Sequence, residues 1–141
     1  MTVRVKKDRV SVDFIEILTE KIKDYLSETL RSYDEKIKLW QKYINDNIKM
    51  FSYSLKSIDL KALLRVGIEN ITYKETPSEY IIGIDDEKKL SDMYVSIYDV
   101  CKLINFGNLR MNGTRLFSDV FDSIQNNLSK IEDLYYSGEP I

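Results

Sequence analysis

The chain has 141 residues, enough for one domain that buries about two-thirds of the surface its unfolded form would expose. Hydrophobic residues make up 43% and charged residues 31%, which excludes wholesale disorder, and no apolar run approaches the roughly 20 residues that cross a bilayer. Net charge is −2 with acids and bases mixed along the chain, so the clustered basic face of a duplex-DNA binder is missing.

In chain order, Arg4, Lys6, Lys7 and Arg9 stand against Asp8 alone, and no apolar core of a secretory signal follows them. Residues 1–12 therefore read as a basic, solvated arm. The single cysteine, Cys101, excludes an internal disulfide and fits synthesis in the cytosol. A helix opens near Ser11 or Asp13, either of which can cap it. Apolar residues then recur in steps of three and four from Phe14 to Leu55, and between Leu26 and Ile44 the steps alternate as in a coiled-coil seam. With no Gly or Pro before Gly67, the favoured reading is one long helix of about 60 Å, though Ser32 offers a cap for a break. Its outer half, Phe14 to Leu26 and with it Ile17 and Ile22, is expected to be covered by neighbouring subunits.

Leu63–Tyr73 and Glu79–Asp85 are rich in β-branched and aromatic residues around Thr76-Pro77-Ser78, a hairpin pattern. Asp85 to Lys89 is a charged connection, and Asp92 to Val95 reads as a third strand. Ser96 and Asp99 have capping-box spacing for a short helix that closes at Phe106-Gly107, where a left-handed cap favours glycine. A last helix runs from Leu116 to about Tyr136, ended by Gly138 and Pro140, with 137–141 as a tail. The expected fold class is α+β. A long N-terminal helix, a small antiparallel sheet, a short helix and a C-terminal helix form a single domain over residues 13–136.

The sequence contains no histidine, which removes the commonest general base and metal ligand and rules out a Ser-His-Asp or Cys-His arrangement within the chain. Cys101 sits between Ile97 and Ile104 on an apolar face and reads as a small core residue. Asp85-Asp86-Glu87 runs straight into Lys88-Lys89 as a hydrated loop, and Glu132-Asp133 reads as solvent-facing. No glycine-rich phosphate loop is present. No catalytic, cofactor-binding or metal-binding residue is assigned, and the chain is not expected to be an enzyme. Arg115 has two readings, an interface arginine that pairs with a neighbour's carboxylate or a helix-entrance residue bonding carbonyls of its own loop. Ten tyrosines suit either half-wet interfaces or the margin of a core.

The segment from Ile97 to Gly107, followed by Thr114, Arg115, Leu116 and Phe117 with Phe121 beyond, resembles the tail-completion (neck, head–tail joining) proteins of long-tailed bacteriophages. In that family a strand leads into a helix ending in an aromatic-Gly pair, then a loop with an Ala-Arg-Pro-Phe-like signature, then a final helix. Here Thr114 stands for the Ala and Leu116 for the Pro, and Ser57 to Leu63 replaces the family's Pro-Val-Asp-Thr-Gly-x-Leu segment without its Pro and Gly. The resemblance spans roughly Ile37 to Leu134. It implies a virion structural protein, assembled in the bacterial host cytoplasm as a ring of identical subunits that joins the capsid connector to the tail. Its partners would be neck, connector or tail proteins, with viral DNA only as cargo and no membrane. Phe106, Gly107, Arg115 and Phe117 would then be structural or interface positions. A non-viral adaptor dimerising through a coiled coil over Asp13–Leu55 is the alternative.

Overall fold

A computed structural model of the chain describes residues 1–47, 59–86 and 96–141. Strand β1 (Thr2–Lys6) passes through a 3-10 turn into helix α1 (Val12–Ser32), which is followed by α2 (Asp34–Asp46) and α3 (Leu60–Glu69). Strands β2 (Ile71–Glu75) and β3 (Glu79–Ile84) form the hairpin, and α4 (Ile97–Phe106), α5 (Leu116–Asn126) and α6 (Leu128–Tyr136) complete the α+β fold. The sheet is antiparallel in the order β1-β3-β2.

The N-terminal residues correct the expectation of an arm. Val3 and Val5 alternate with Thr2, Arg4 and Lys6, so one face of the segment is apolar and buries as a strand beside β3, with Val3 opposite Ile82 and Val5 opposite Tyr80. Arg4 and Lys6 are on its outer face, and Lys7 and Arg9 lie in the 3-10 turn that follows. As an edge strand, β1 would leave the backbone of Arg4 unpaired. The Gln125 amide of α5 covers it, accepting from the Arg4 N–H at 2.7 Å and donating to the Arg4 carbonyl at 3.1 Å. The expected third strand at Asp92–Val95 lies outside the described residues.

The single long helix is corrected too. Ser11 caps α1, its hydroxyl accepting from the Phe14 N–H, but the helix stops at Ser32. Thr29 and Ser32 donate their hydroxyls to the carbonyls of Tyr25 and Thr29, a back-bonding that bends helices, and Tyr33 leaves the helical region before Asp34 and Glu35 start α2. Leu63 to Glu69, expected as strand, belongs to α3, capped by Asp59, which accepts from the Lys61 and Ala62 N–H groups. The C-terminal helix breaks at Asn127 into α5 and α6.

The core lies between the sheet and the helices. Phe14, Leu18, Ile22, Leu26 and Leu30 of α1 and Leu116, Phe117, Phe121 and Ile124 of α5 are buried, with α1 packing on β2 and α5 on β1. Ile37, Trp40 and Ile44 of α2 are buried in the same core. Phe14, Leu18, Ile22 and Leu26 are therefore covered by the chain itself, which corrects for these residues the expectation of burial by neighbouring subunits. Ile22 is wholly buried, whereas Ile17, on the opposite side of α1, is 40% exposed.

Candidate functional site

The segment that carried the sequence resemblance folds as one unit, α4–loop–α5. Ser96 caps α4 by accepting from the Asp99 N–H at 3.0 Å. Gly107 ends it with φ 77° and ψ −168°, a region open essentially to glycine, and its N–H donates to the Leu103 carbonyl at 2.7 Å. A Cβ on Gly107 would also strike the Met111 carbonyl oxygen, and one on Gly113 would strike the backbone of Asn105. The loop is thus stitched tightly to the end of α4. Asn108 shapes its tip, its side-chain oxygen accepting from the N–H groups of Arg110 and Met111, both at 2.9 Å.

The centre of the unit is Asn105, a residue that the sequence reading passed over. It is fully buried at the end of α4. Its side-chain oxygen accepts from the backbone N–H groups of Phe117 and Ser118 at 2.9 Å each, and its amide lies 2.6 Å from Ser118 Oγ. Asn105 therefore caps α5 from another helix, supplying two of the orphan donors of the first turn. The Asn105 and Ile104 carbonyls accept from the Arg115 and Thr114 N–H groups, completing the joint. The available signal was a polar side chain inside the apolar run Leu103-Ile104-Asn105-Phe106, which a buried helix end tolerates only if its hydrogen bonds are met.

Arg115 adopts φ 58° and ψ 19°, the one positive φ of a non-glycine residue among the described residues. Its guanidinium turns back along α5 to Asp119 and Asp122, and Asp119 also accepts from Tyr33 Oη at 3.2 Å. The guanidinium thus pairs with carboxylates of its own helix and not with loop carbonyls, while the Arg115 backbone N–H donates to the Asn105 carbonyl at the end of α4. Burial, then the Asp119 carboxylate, pushes the Tyr33 phenol above its ordinary pKa. Phe117 is buried at the joint, whereas Phe106 is 53% exposed.

On the other side of the unit the loop leans on α2. Trp40 Nε1 donates to the Asn112 carbonyl at 3.2 Å and Asn108 donates to Tyr43 Oη at 3.3 Å. A groove of about 530 Å³ runs between them, lined by Lys36, Leu39, Trp40, Leu109, Arg110 and Met111 among others. Leu109 at the tip is fully exposed and Leu39 is 61% exposed.

The remaining sequence candidates are scattered. Cys101 is buried with its thiol pushed up to about 12 by burial, so it stays protonated, and Gly67 of α3 packs directly on its sulfur. Asp86 pairs with Lys74 at 3.1 Å, and Glu132, raised mainly by burial, lies on α6. Among the described residues no group of three or more His, Cys, Asp or Glu is placed to hold a metal ion, and no helix is long and apolar enough to cross a membrane. What the unit can do chemically is present a shaped, braced surface. Comparison with protein-family models, curated proteins and solved structures finds no match to this chain.

Proposed function

We propose that the chain is a structural subunit of a bacteriophage head–tail junction, a neck or tail-completion protein that acts as a ring between the capsid connector and the tail. The observation that carries this reading is the α4–loop–α5 unit. The residues that resemble the tail-completion family flank a loop in which a buried Asn105 network and two sterically required glycines hold a fully exposed Leu109 in place. An apolar side chain presented on a braced loop suits a contact with another protein. In this reading the protein acts by shape and subunit contacts, in the virion, with DNA passing through the ring as cargo.

The coiled-coil adaptor is the weaker reading, because Leu26, Leu30, Ile37, Trp40 and Ile44 are buried in the chain's own core and a dimer through that seam would have to open it. Light scattering and negative-stain imaging of the purified chain, alone and mixed with phage connectors, test the proposal. Rings, or a monomer that becomes a ring on connectors, are the expected result. A stable two-stranded dimer, or a hydrolytic activity lost on substituting Asp85, Asp86 or Glu132, overturns it.

A further inference from the structure

Two exposed surfaces of this chain are complementary. On α1, Asp13, Ile17, Glu20, Asp24 and Glu28 are all exposed and recur at three- and four-residue steps, so they form one stripe, an isoleucine among four carboxylates. Lys21 and Lys23 flank it, and Lys23 pairs with Glu20 at 3.4 Å. The groove between α2 and the loop has the opposite character. Leu39 and Leu109 are its apolar points and Lys36 and Arg110 its charged lining, with no carboxylate among the described residues that line it. Glu35 lies nearby on α2 and is engaged by Lys38 at 3.8 Å. Lys36 and Leu39 stand within two turns of the α1–α2 junction, whereas Ile17 stands about four turns before it, roughly 22 Å along α1. The two surfaces share no residue, so one copy can use both at once.

We propose that copies of this chain associate head to tail, with the Leu39–Leu109 face of one copy seated on the Ile17 face of α1 in the next, and the exposed Lys36 set against Glu20, Asp24 and Glu28. The occupant of each face is a second copy. The argument is charge complementarity around paired exposed aliphatic residues, and it rests on the reading of a self-assembling subunit. Because the two faces differ, the contact is heterologous: it repeats from copy to copy and ends only when a ring closes. Opposed charges at its rim steer the approach and fix register, and salt weakens them.

The test uses the full-length chain in native mass spectrometry and light scattering. Wild type is expected to form assemblies larger than dimers at low ionic strength, with association weakened about tenfold or more at ~0.5 M salt. Leu109→Asp and Ile17→Asp change exposed residues, so each variant is expected to stay folded by circular dichroism and to remain monomeric. Leu39→Glu serves as a second variant of the groove face. Mixed in equal amounts, the Leu109 and Ile17 variants still hold one intact pair of faces between them and are expected to form heterodimers and nothing larger. Folded variants that assemble like wild type overturn the assignment of these faces while leaving a ring built through other surfaces untouched. A wild type that stays monomeric at low salt overturns unaided association, and rings that then form only on connectors keep the proposed function while removing this contact. A mixture that stays monomeric although wild type assembles overturns the head-to-tail arrangement.

Discussion

Asn105 is a polar side chain in full burial, tolerated because each of its atoms has a partner. Replacing it with alanine leaves the Phe117 and Ser118 N–H groups without an acceptor in a place water does not reach. At about 1–3 kcal/mol per stranded donor, Asn105→Ala is expected to cost roughly 3 kcal/mol in urea unfolding. Asn105→Asp keeps the acceptor, and Ser118 Oγ can turn to donate to it, so a smaller loss is expected from that variant. Equal losses would mean that the Asn105 oxygen does not cap α5. Cys101 makes a different prediction at the same scale. Its thiol is raised from 9.0 to about 12 in the folded chain, so above pH 9 the unfolded chain releases a proton that the folded one keeps. The folded state therefore binds more protons, and this contribution to stability is whole below pH 9 and is lost as pH rises toward 12. Stability measured against pH is expected to fall more steeply over that range for wild type than for Cys101→Ala, and identical slopes would place the thiol in water.

At the scale of elements, the hairpin, the two helices around Gly107 and the α+β class were legible because they announce themselves through β-branched runs, a Thr-Pro-Ser turn, a capping box and a glycine. Apart from the break at Ser32, the helix ends that went unread share one cause. Asn47, Asn70 and Asn127 each close a helix with the side-chain amide donating to the carbonyl four residues back, at 2.7 to 2.8 Å. None is a glycine or proline, so a reading that relied on those residues ran the last helix through Asn127 and took α3 from Leu63 onward for a strand. The N-terminal strand went unread because its alternation spans five residues and its outer positions are threonine and cations, which look like a tail. Helix α1 offers a direct test of which faces belong to the core. Ile22→Asp places a charge where exposure is zero and is expected to abolish folding, whereas Ile17→Asp is expected to change stability by no more than about 0.5 kcal/mol. Thermal unfolding followed by circular dichroism separates the two, and equal damage would contradict the orientation of α1.

For the whole molecule, the notable feature is how the two ends of the sequence close on each other. Gln125 of α5 clasps the backbone of Arg4, the Ser11 N–H donates to Tyr136 Oη at 2.8 Å, and the Phe14 ring lies 5.2 Å from that of Tyr135. The middle of the chain is tied in as well, since α2 reaches the loop through Trp40 and Asn112, and Asp34 pairs with Lys61 of α3 at 2.6 Å, which holds the Asp34 carboxyl below its usual range. Contacts of this kind couple segments far apart in sequence, so unfolding is expected as a single cooperative step. Trp40 is the only tryptophan and reports on the α2–loop contact, while far-UV circular dichroism reports on the helices throughout. The two signals should therefore share one urea midpoint in wild type, and removal of residues 1–6 should lower both together, because it exposes the surface of β3 and α5 that the strand covers. A tryptophan transition that runs ahead of the helical one would instead mean that the α2–loop unit melts by itself, and that the braced presentation of Leu109 does not depend on the sheet.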